Sequence, residues 1–176
     1  SGVSPMTFPG MKGGGYAATG IEHDEDCELS YEPDNHRRMT EKRWKKLNLV
    51  MQGPDLFRRY GPLDADIGIV GWGSSEGVIR EAIAKANEKG CRVAAFHPKV
   101  VHPIPHELGD FIRSVKTVIV PELNFTGHFA KEIRARFLTD VIQFNKVTGL
   151  PFTPNEIIQK IEEVSETCLK QTHHKV

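Results

Sequence analysis

The stretch Asp66-Ile-Gly-Ile-Val-Gly-Trp-Gly-Ser-Ser-Glu-Gly-Val78 decides the fold. A near-apolar run at 67–70 enters a glycine-rich turn. The turn enters Val78-Ile-Arg-Glu-Ala-Ile-Ala-Lys-Ala-Asn87, which is helical by composition and period. Strand, glycine turn and helix make the opening unit of a parallel α/β sheet, because a strand covered on both faces reads as a continuous apolar run. The cycle recurs downstream, with strands expected at 92–96 and 117–120 and helices at 75–87, 105–112 and 127–136. Lys89-Gly90 is a C-cap signal. Residues 140–146 alternate apolar and polar, which suits a half-exposed edge strand. Thr153-Pro-Asn-Glu156 is a capping box with proline at the first helical position, and Ile157, Ile161, Val164 and Cys168 mark the buried face of the helix it opens.

The first third of the chain has another character. Residues 1–20 are rich in Gly and Pro, show no apolar period, and read as loop or linker. An acidic run follows, Glu22-His-Asp-Glu-Asp-Cys-Glu28, and then a basic helix over about 36–51, started by Pro33 and Asp34 and stopped by Gly53-Pro54. Met39, Trp44, Leu47 and Met51 form its apolar stripe. The expected organisation is therefore a linker and helical extension over 1–60 and an α/β domain over 61–176.

Bulk properties narrow the function. A chain of 176 residues buries one good core, which suits one domain with an appendage. Lys+Arg and Asp+Glu both number 23, so the charges cancel, and the basic excess that a nucleic-acid partner calls for is missing. No apolar run approaches membrane-spanning length, and the N-terminus lacks the charged-then-apolar order of a signal peptide. The basic helix thus reads as a solvated or subunit-facing face partnered by the acidic run, rather than a nucleic-acid or membrane element. Cys27, Cys91 and Cys168 are isolated and form no metal or cluster motif, and a sparse, odd count suits a reducing cytoplasm.

Three places carry polar residues where strands stop, the rim at which open α/β sheets dock ligands and partners. The first, Gly71-Trp-Gly-Ser-Ser-Glu-Gly77, is one residue longer than the dinucleotide fingerprint. The second strand also ends Ala95-Phe-His-Pro-Lys99 without the ribose-binding acid, so the NAD reading fails. What survives is an anion held by a helix N-terminus, with Gly73, Ser74, Ser75 and Lys99, or a tight structural turn. The second is His97, His102 and His106; spaced through prolines on a loop, they share no helix face, and no metal site is expected. The third is Pro121-Glu-Leu-Asn124. A buried carboxylate there can be catalytic, cap the next turn or face another subunit. Gly73, Ser74, Ser75, His97, Lys99, Glu122 and Asn124 are thus the candidate anion-binding or interface rim. No nucleophile–base set is present.

At these residues the chain resembles the C-terminal part of the α subunit of 2-oxoacid:ferredoxin oxidoreductases, most like the 2-oxoglutarate type. The matching pieces are Phe8-Pro-Gly-Met11, Tyr16-Ala-Ala-Thr-Gly-Ile-Glu-His23, the 66–77 stretch, His97-Pro-Lys-Val100, Val120-Pro-Glu-Leu-Asn124, Thr126-Gly127 and Gly149-Leu-Pro-Phe152, in family order across nearly the whole chain. The resemblance implies a three-layer α/β/α domain with a mostly parallel, mixed sheet of about five strands, like the C-terminal domain of transketolase-type enzymes. It implies oxidative decarboxylation of a 2-oxoacid to its acyl-coenzyme A with reduction of ferredoxin, using thiamine diphosphate, Mg2+ and iron–sulfur clusters held elsewhere in an oligomeric cytoplasmic complex. This chain would bind none of these alone and would serve assembly. The family's thiamine-activating glutamate belongs to a domain expected ahead of Ser1, so no catalytic residue is expected within the chain. Thr19, Glu22 and His23 are candidates for a substrate-proximal or interface position. The alternatives are an independent nucleotide- or anion-binding domain, or the equivalent domain of a 2-oxoacid dehydrogenase or transketolase.

Overall fold

The computed structural model describes residues 2–18 and 20–173, with side chains through Ser165. The chain divides into two compact units, 1–54 and 55–176. No helix among the described residues is long and apolar enough to cross a membrane.

The first unit holds one helix, α1 (Pro33–Val50). Proline at its first turn costs nothing there, because that amide has no intrahelical partner anyway. Its apolar stripe is only partly used: Met39 is buried and Leu47 half-buried, whereas Trp44 is exposed. The acidic run forms a tight turn in front of it. Asp24 Oδ1 accepts from the amides of Asp26 (2.9 Å) and Glu28 (3.0 Å), and Cys27 takes a positive φ. Gly2 lies against the helix with φ +83°, where a Cβ would come within 2.8 Å of the Lys42 carbonyl.

The second unit is a five-stranded sheet, built from β1 (Phe57–Tyr60), β2 (Ile67–Val70), β3 (Val93–Pro98), β4 (Thr117–Glu122) and β5 (Ile142–Asn145) in the order β1-β3-β2-β4-β5. β3, β2, β4 and β5 run parallel, and β1 is antiparallel to β3 with Arg58 opposite His97. The expected mostly parallel mixed sheet is thus present. β1 corrects the expected boundary at 60/61, because 57–60 belong to the sheet. Its central Arg58 and Arg59 interrupt the apolar pattern that marks the other strands.

Four helices cover the sheet: α2 (Glu76–Glu88), α3 (Glu107–Ser114), α4 (His128–Phe137) and α5 (Pro154–His173). α3 and α4 pack Leu108, Phe111, Phe129 and Ile133 onto one face, against Val70, Phe96 and Val120. On the other face α2 and α5 bring Ile79, Ile83, Ile157 and Ile161 against Ile67, Ile69, Val93 and Ala95. Each large aliphatic side chain so buried contributes roughly 1.5–3 kcal/mol. The residues of β2, β3 and β4 alternate between these faces, so both cores need unbroken apolar strands. Ile157, Ile161 and Val164 are buried as expected. The Cys168 side chain lies outside the described residues.

Candidate functional site

Because β3, β2 and β4 are parallel neighbours, their carboxyl ends share one edge. The segments 71–75, 97–99 and 122–124 therefore line one rim. β1 starts on the same edge, with Phe57 opposite Pro98 and the Lys99 amide donating to the Leu56 carbonyl at 2.8 Å.

The turn after β2 is a single 3-10 turn, Gly73–Ser75, running into α2. Gly71 has no room for a side chain: a Cβ would stand 2.1 Å from Ile79 Cδ1 and 2.8 Å from Ser75 Oγ. Gly73 has φ +62° in open space, so it serves conformation rather than clearance. Ser75 Oγ donates to the Trp72 carbonyl at 2.9 Å, which closes the turn. Trp72 is partly exposed and meets Phe129 edge-on at 6.2 Å.

His97 is only 4% exposed. Burial pushes its pKa below the ordinary histidine range, against the opposing pull of Glu76 and of a hydrogen bond to the Gly73 backbone. Its Nε2 lies 4.0 Å from Glu76 Oε2. The Tyr60 hydroxyl donates to Glu76 Oε1 at 2.5 Å, which holds Glu76 below and Tyr60 above their usual ranges. Arg58 pairs with Asp55 at 3.0 Å. Tyr60, Arg58 and Glu76 were not among the sequence candidates. Glu76 sat inside the decisive stretch, and Tyr60 ends a short run bounded by Pro54 and Gly61-Pro62 that marks a strand.

Glu122 is 2% exposed and caps α4. Its carboxylate accepts from the amides of Phe129 (3.0 Å) and Ala130 (2.9 Å) and from Asn124 Nδ2 (2.7 Å). Asn124 Oδ1 accepts from the Gly127 amide at 2.7 Å. Negative charge at a helix N-terminus is favourable, and here it satisfies two orphan amides. Every oxygen of Glu122 is thereby committed to the fold.

The anion reading of the rim meets an obstacle. The first residue of α2 is Glu76, whose negative charge in the first turn of the helix opposes a bound anion there. Ser74 and Lys99 are exposed, and Ser75 is half-buried. The three histidines do not gather: His97 is buried, while His102 and His106 are exposed. Among the described residues no group of three or more His, Cys, Asp and Glu is arranged to hold a metal ion.

In the first unit Glu22 is the centre of a brace. Arg43 donates to both its oxygens, with His36 Nδ1 at 2.9 Å and the His23 amide at 3.2 Å, and its pKa is held down to about 2, chiefly by Arg43. His23 Nδ1 donates to the Asp24 carbonyl at 2.7 Å, and Asn35 Nδ2 donates to the His23 carbonyl at 3.2 Å. Thr19 lies outside the described residues.

Residues 65–157 match the family model described as pyruvate:ferredoxin oxidoreductase core domain II. The 2-oxoglutarate oxidoreductase subunit KorA of Mycobacterium tuberculosis is 37% identical over 153 residues, covering 86% of this chain and 23% of the relative. Subunit alpha of 2-oxoacid:ferredoxin oxidoreductase 1 from Aeropyrum pernix is 30% identical over 83% of this chain and 24% of its own length. Among solved structures, the 2-oxoglutarate:ferredoxin oxidoreductase from Magnetococcus marinus, with 2-oxoglutarate, coenzyme A and succinyl-CoA bound, matches at a TM-score of 0.78 and 38% identity over 92% of this chain and 29% of that one. The chain thus spans about a quarter of the length of the curated relatives it matches. With its strand order, its rim and this match, the chain belongs to the pyruvate:ferredoxin oxidoreductase core domain II family.

Proposed function

We propose that this chain is the C-terminal portion of the α subunit of a 2-oxoglutarate:ferredoxin oxidoreductase, and that it serves assembly rather than chemistry. The observation that carries the reading is the Magnetococcus marinus match, which runs over 92% of the chain at a TM-score of 0.78. In the complete enzyme 2-oxoglutarate and coenzyme A give succinyl-coenzyme A and carbon dioxide, and two electrons pass to ferredoxin. Thiamine diphosphate, Mg2+ and iron–sulfur clusters would supply the carbanion and electron-transfer chemistry from other parts of the complex. The described residues of this chain do not fit a metal or a cluster, since they gather no ligand set. No step is assigned to them.

The rim supports a docking role. Its buried polar groups are used internally: Glu122 caps α4, and His97, Glu76 and Tyr60 engage one another. Alongside the exposed Ser74 and Lys99, the rim also turns apolar side chains outward. Phe125 is 82% exposed, and Leu123 and Trp72 are partly exposed. In a subunit of a larger enzyme, such residues face the rest of the complex. The binding of Glu22 by Arg43 and His36 favours a brace at 22–23 over a substrate contact.

The test is reconstitution. Co-expressed with the remaining parts of the enzyme, the chain is expected to co-purify with an iron–sulfur partner and to support 2-oxoglutarate- and coenzyme A-dependent ferredoxin reduction in the cytoplasmic fraction. Alone it is expected to show neither that activity nor submicromolar thiamine diphosphate binding, which corresponds to about −8 kcal/mol. His23→Ala in the complete enzyme separates the roles of that segment. A drop of more than about tenfold in kcat/KM, roughly 1.4 kcal/mol, indicates substrate contact. Unchanged kinetics with a lower Tm indicates the brace.

A further inference from the structure

His97, Glu76 and Tyr60 link three elements that are separate in sequence. His97 is the last residue but one of β3, Glu76 begins α2 and Tyr60 ends β1. The neutral imidazole is hydrogen-bonded to the Gly73 backbone and lies beside Gly71, 3.6 Å from where a Cβ would stand. It therefore props the rim turn that carries Trp72. The same Glu76 carboxylate faces Tyr60 at 2.5 Å on one oxygen and His97 at 4.0 Å on the other. A charged imidazole in a site this closed requires a close anion. Among the described residues the carboxylate acting on it is Glu76, at 4.0 Å about an ångström too far for a charge-assisted hydrogen bond, whose usual length is about 2.7–2.9 Å.

The other groups around the imidazole leave that choice unchanged. From β1 come Tyr60 and Arg58, the latter paired with Asp55; from α2 Arg80, which acts on Tyr60; from the end of β3 the exposed Lys99, which with Arg58 acts on Glu76. α5 meets this face with the apolar Ile157, Ile161 and Val164.

We infer that His97, Glu76 and Tyr60 form a proton-operated latch on the rim turn: a proton taken up from solvent by His97 draws the Glu76 carboxylate away from Tyr60, and the first turn of α2 moves with Trp72. With His97 neutral, Glu76 ties β1 to α2 and the rim turn is held. With His97 charged, that tie loosens and the partly exposed Trp72 changes surroundings. Docking at this edge is then sensitive to acid. The latch itself stands on this chain's own geometry, and only its effect on docking rests on the assembly reading.

The test uses the full chain carrying Trp44→Phe, which leaves Trp72 as the sole tryptophan, since the chain has two. Trp72 emission and the His97 ring signal in NMR are followed from pH 8 to 5. The expected result is one shared midpoint below the ordinary histidine value of about 6.5. Tyr60→Phe frees the carboxylate and raises that midpoint by about half a pH unit or more, and Glu76→Gln lowers it by a similar amount. His97→Gln abolishes the emission change. A Trp72 signal that stays flat while His97 titrates overturns the latch. So do equal midpoints in all three backgrounds, or a His97 that takes up no proton before global unfolding. If His97→Gln does not fold, the opposite shifts of the other two variants decide the matter.

Discussion

Two buried polar residues illustrate how the fold sets the character of the rim. Glu122 is tolerated at 2% exposure because the α4 amides and Asn124 replace its water. Replacing it by alanine leaves two helix amides unsatisfied, and a cost of about 2–3 kcal/mol is expected. For a chain of this size that is a Tm drop of roughly 5–10 °C. Calorimetry on Glu122→Ala checks it, and a drop under about 2 °C would contradict the cap. His97 gives a pH dependence of defined sign. Its folded pKa is depressed by burial, so the unfolded chain binds the extra proton first. Its contribution is complete above the ordinary value of about 6.5 and is lost as pH falls below it, until the folded state also protonates. Denaturant melts at pH 7.5, 6.5 and 5.5 are expected to lose stability over that window in the natural chain and to lose less in His97→Gln. Parallel curves for the two proteins would remove His97 as the cause.

Among the elements, the last helix was legible in its cap and in its buried face through Val164, and it carries a second prediction on pH. Thr153 Oγ1 accepts from the Glu156 amide at 3.3 Å, and Glu156 Oε2 accepts from the Thr153 amide at 2.7 Å, which is the capping box read from the sequence. What the sequence did not reveal is Lys146, which reaches Glu156 at 2.7 Å from the end of β5 and lies over the Phe152 ring. Lys146 and the cap hold the Glu156 pKa down to about 2. A depressed carboxylate stabilises the fold above its unfolded pKa near 4.5 and loses that contribution as pH falls toward 2. Glu156→Gln is expected to flatten the melting curve between those limits and to leave it parallel to the natural protein's above pH 6. Buried parallel strands announce themselves because both faces need apolar residues, so the strands expected at about 67–71, 92–96 and 117–120 were readable. Their ends were not. β3 runs on through His97 and Pro98 because β1 pairs with it, and β1 itself hid behind Arg58 and Arg59. The rim was foreseeable for the same topological reason. Its internal wiring was not, because Tyr60–Glu76 and Glu22–Arg43 join residues whose nearness only the folded chain creates.

For the whole molecule, the question is which surface belongs to the chain and which to its partners. A residue that serves the fold is buried or bonded, and its loss costs stability wherever it is measured. Phe125 is neither: its side chain is 82% exposed, and among the described residues its hydrogen bond is to the backbone carbonyl, from Asn145 Nδ2 at 3.1 Å. An exposed aromatic on a loop over the carboxyl edge of a parallel sheet exposes apolar surface to water with no return inside this chain. Buried against a partner, a phenylalanine contributes roughly 1.5–3 kcal/mol and becomes a candidate anchor. The double change Leu123→Ser and Phe125→Ser keeps the backbone contacts and removes the apolar surface. In the isolated chain it is expected to shift stability by no more than about 0.5 kcal/mol, the usual scale for surface positions. In the reconstituted enzyme the same change is expected to weaken co-elution with the other parts by at least tenfold in apparent Kd, about 1.4 kcal/mol. Glu122→Ala is the counterpart, since it lowers the Tm of the isolated chain. The two variants must separate, one lost in stability and one in association. If Leu123→Ser with Phe125→Ser assembles normally, the docking surface lies away from this rim, and the exposed aromatic must answer to another contact.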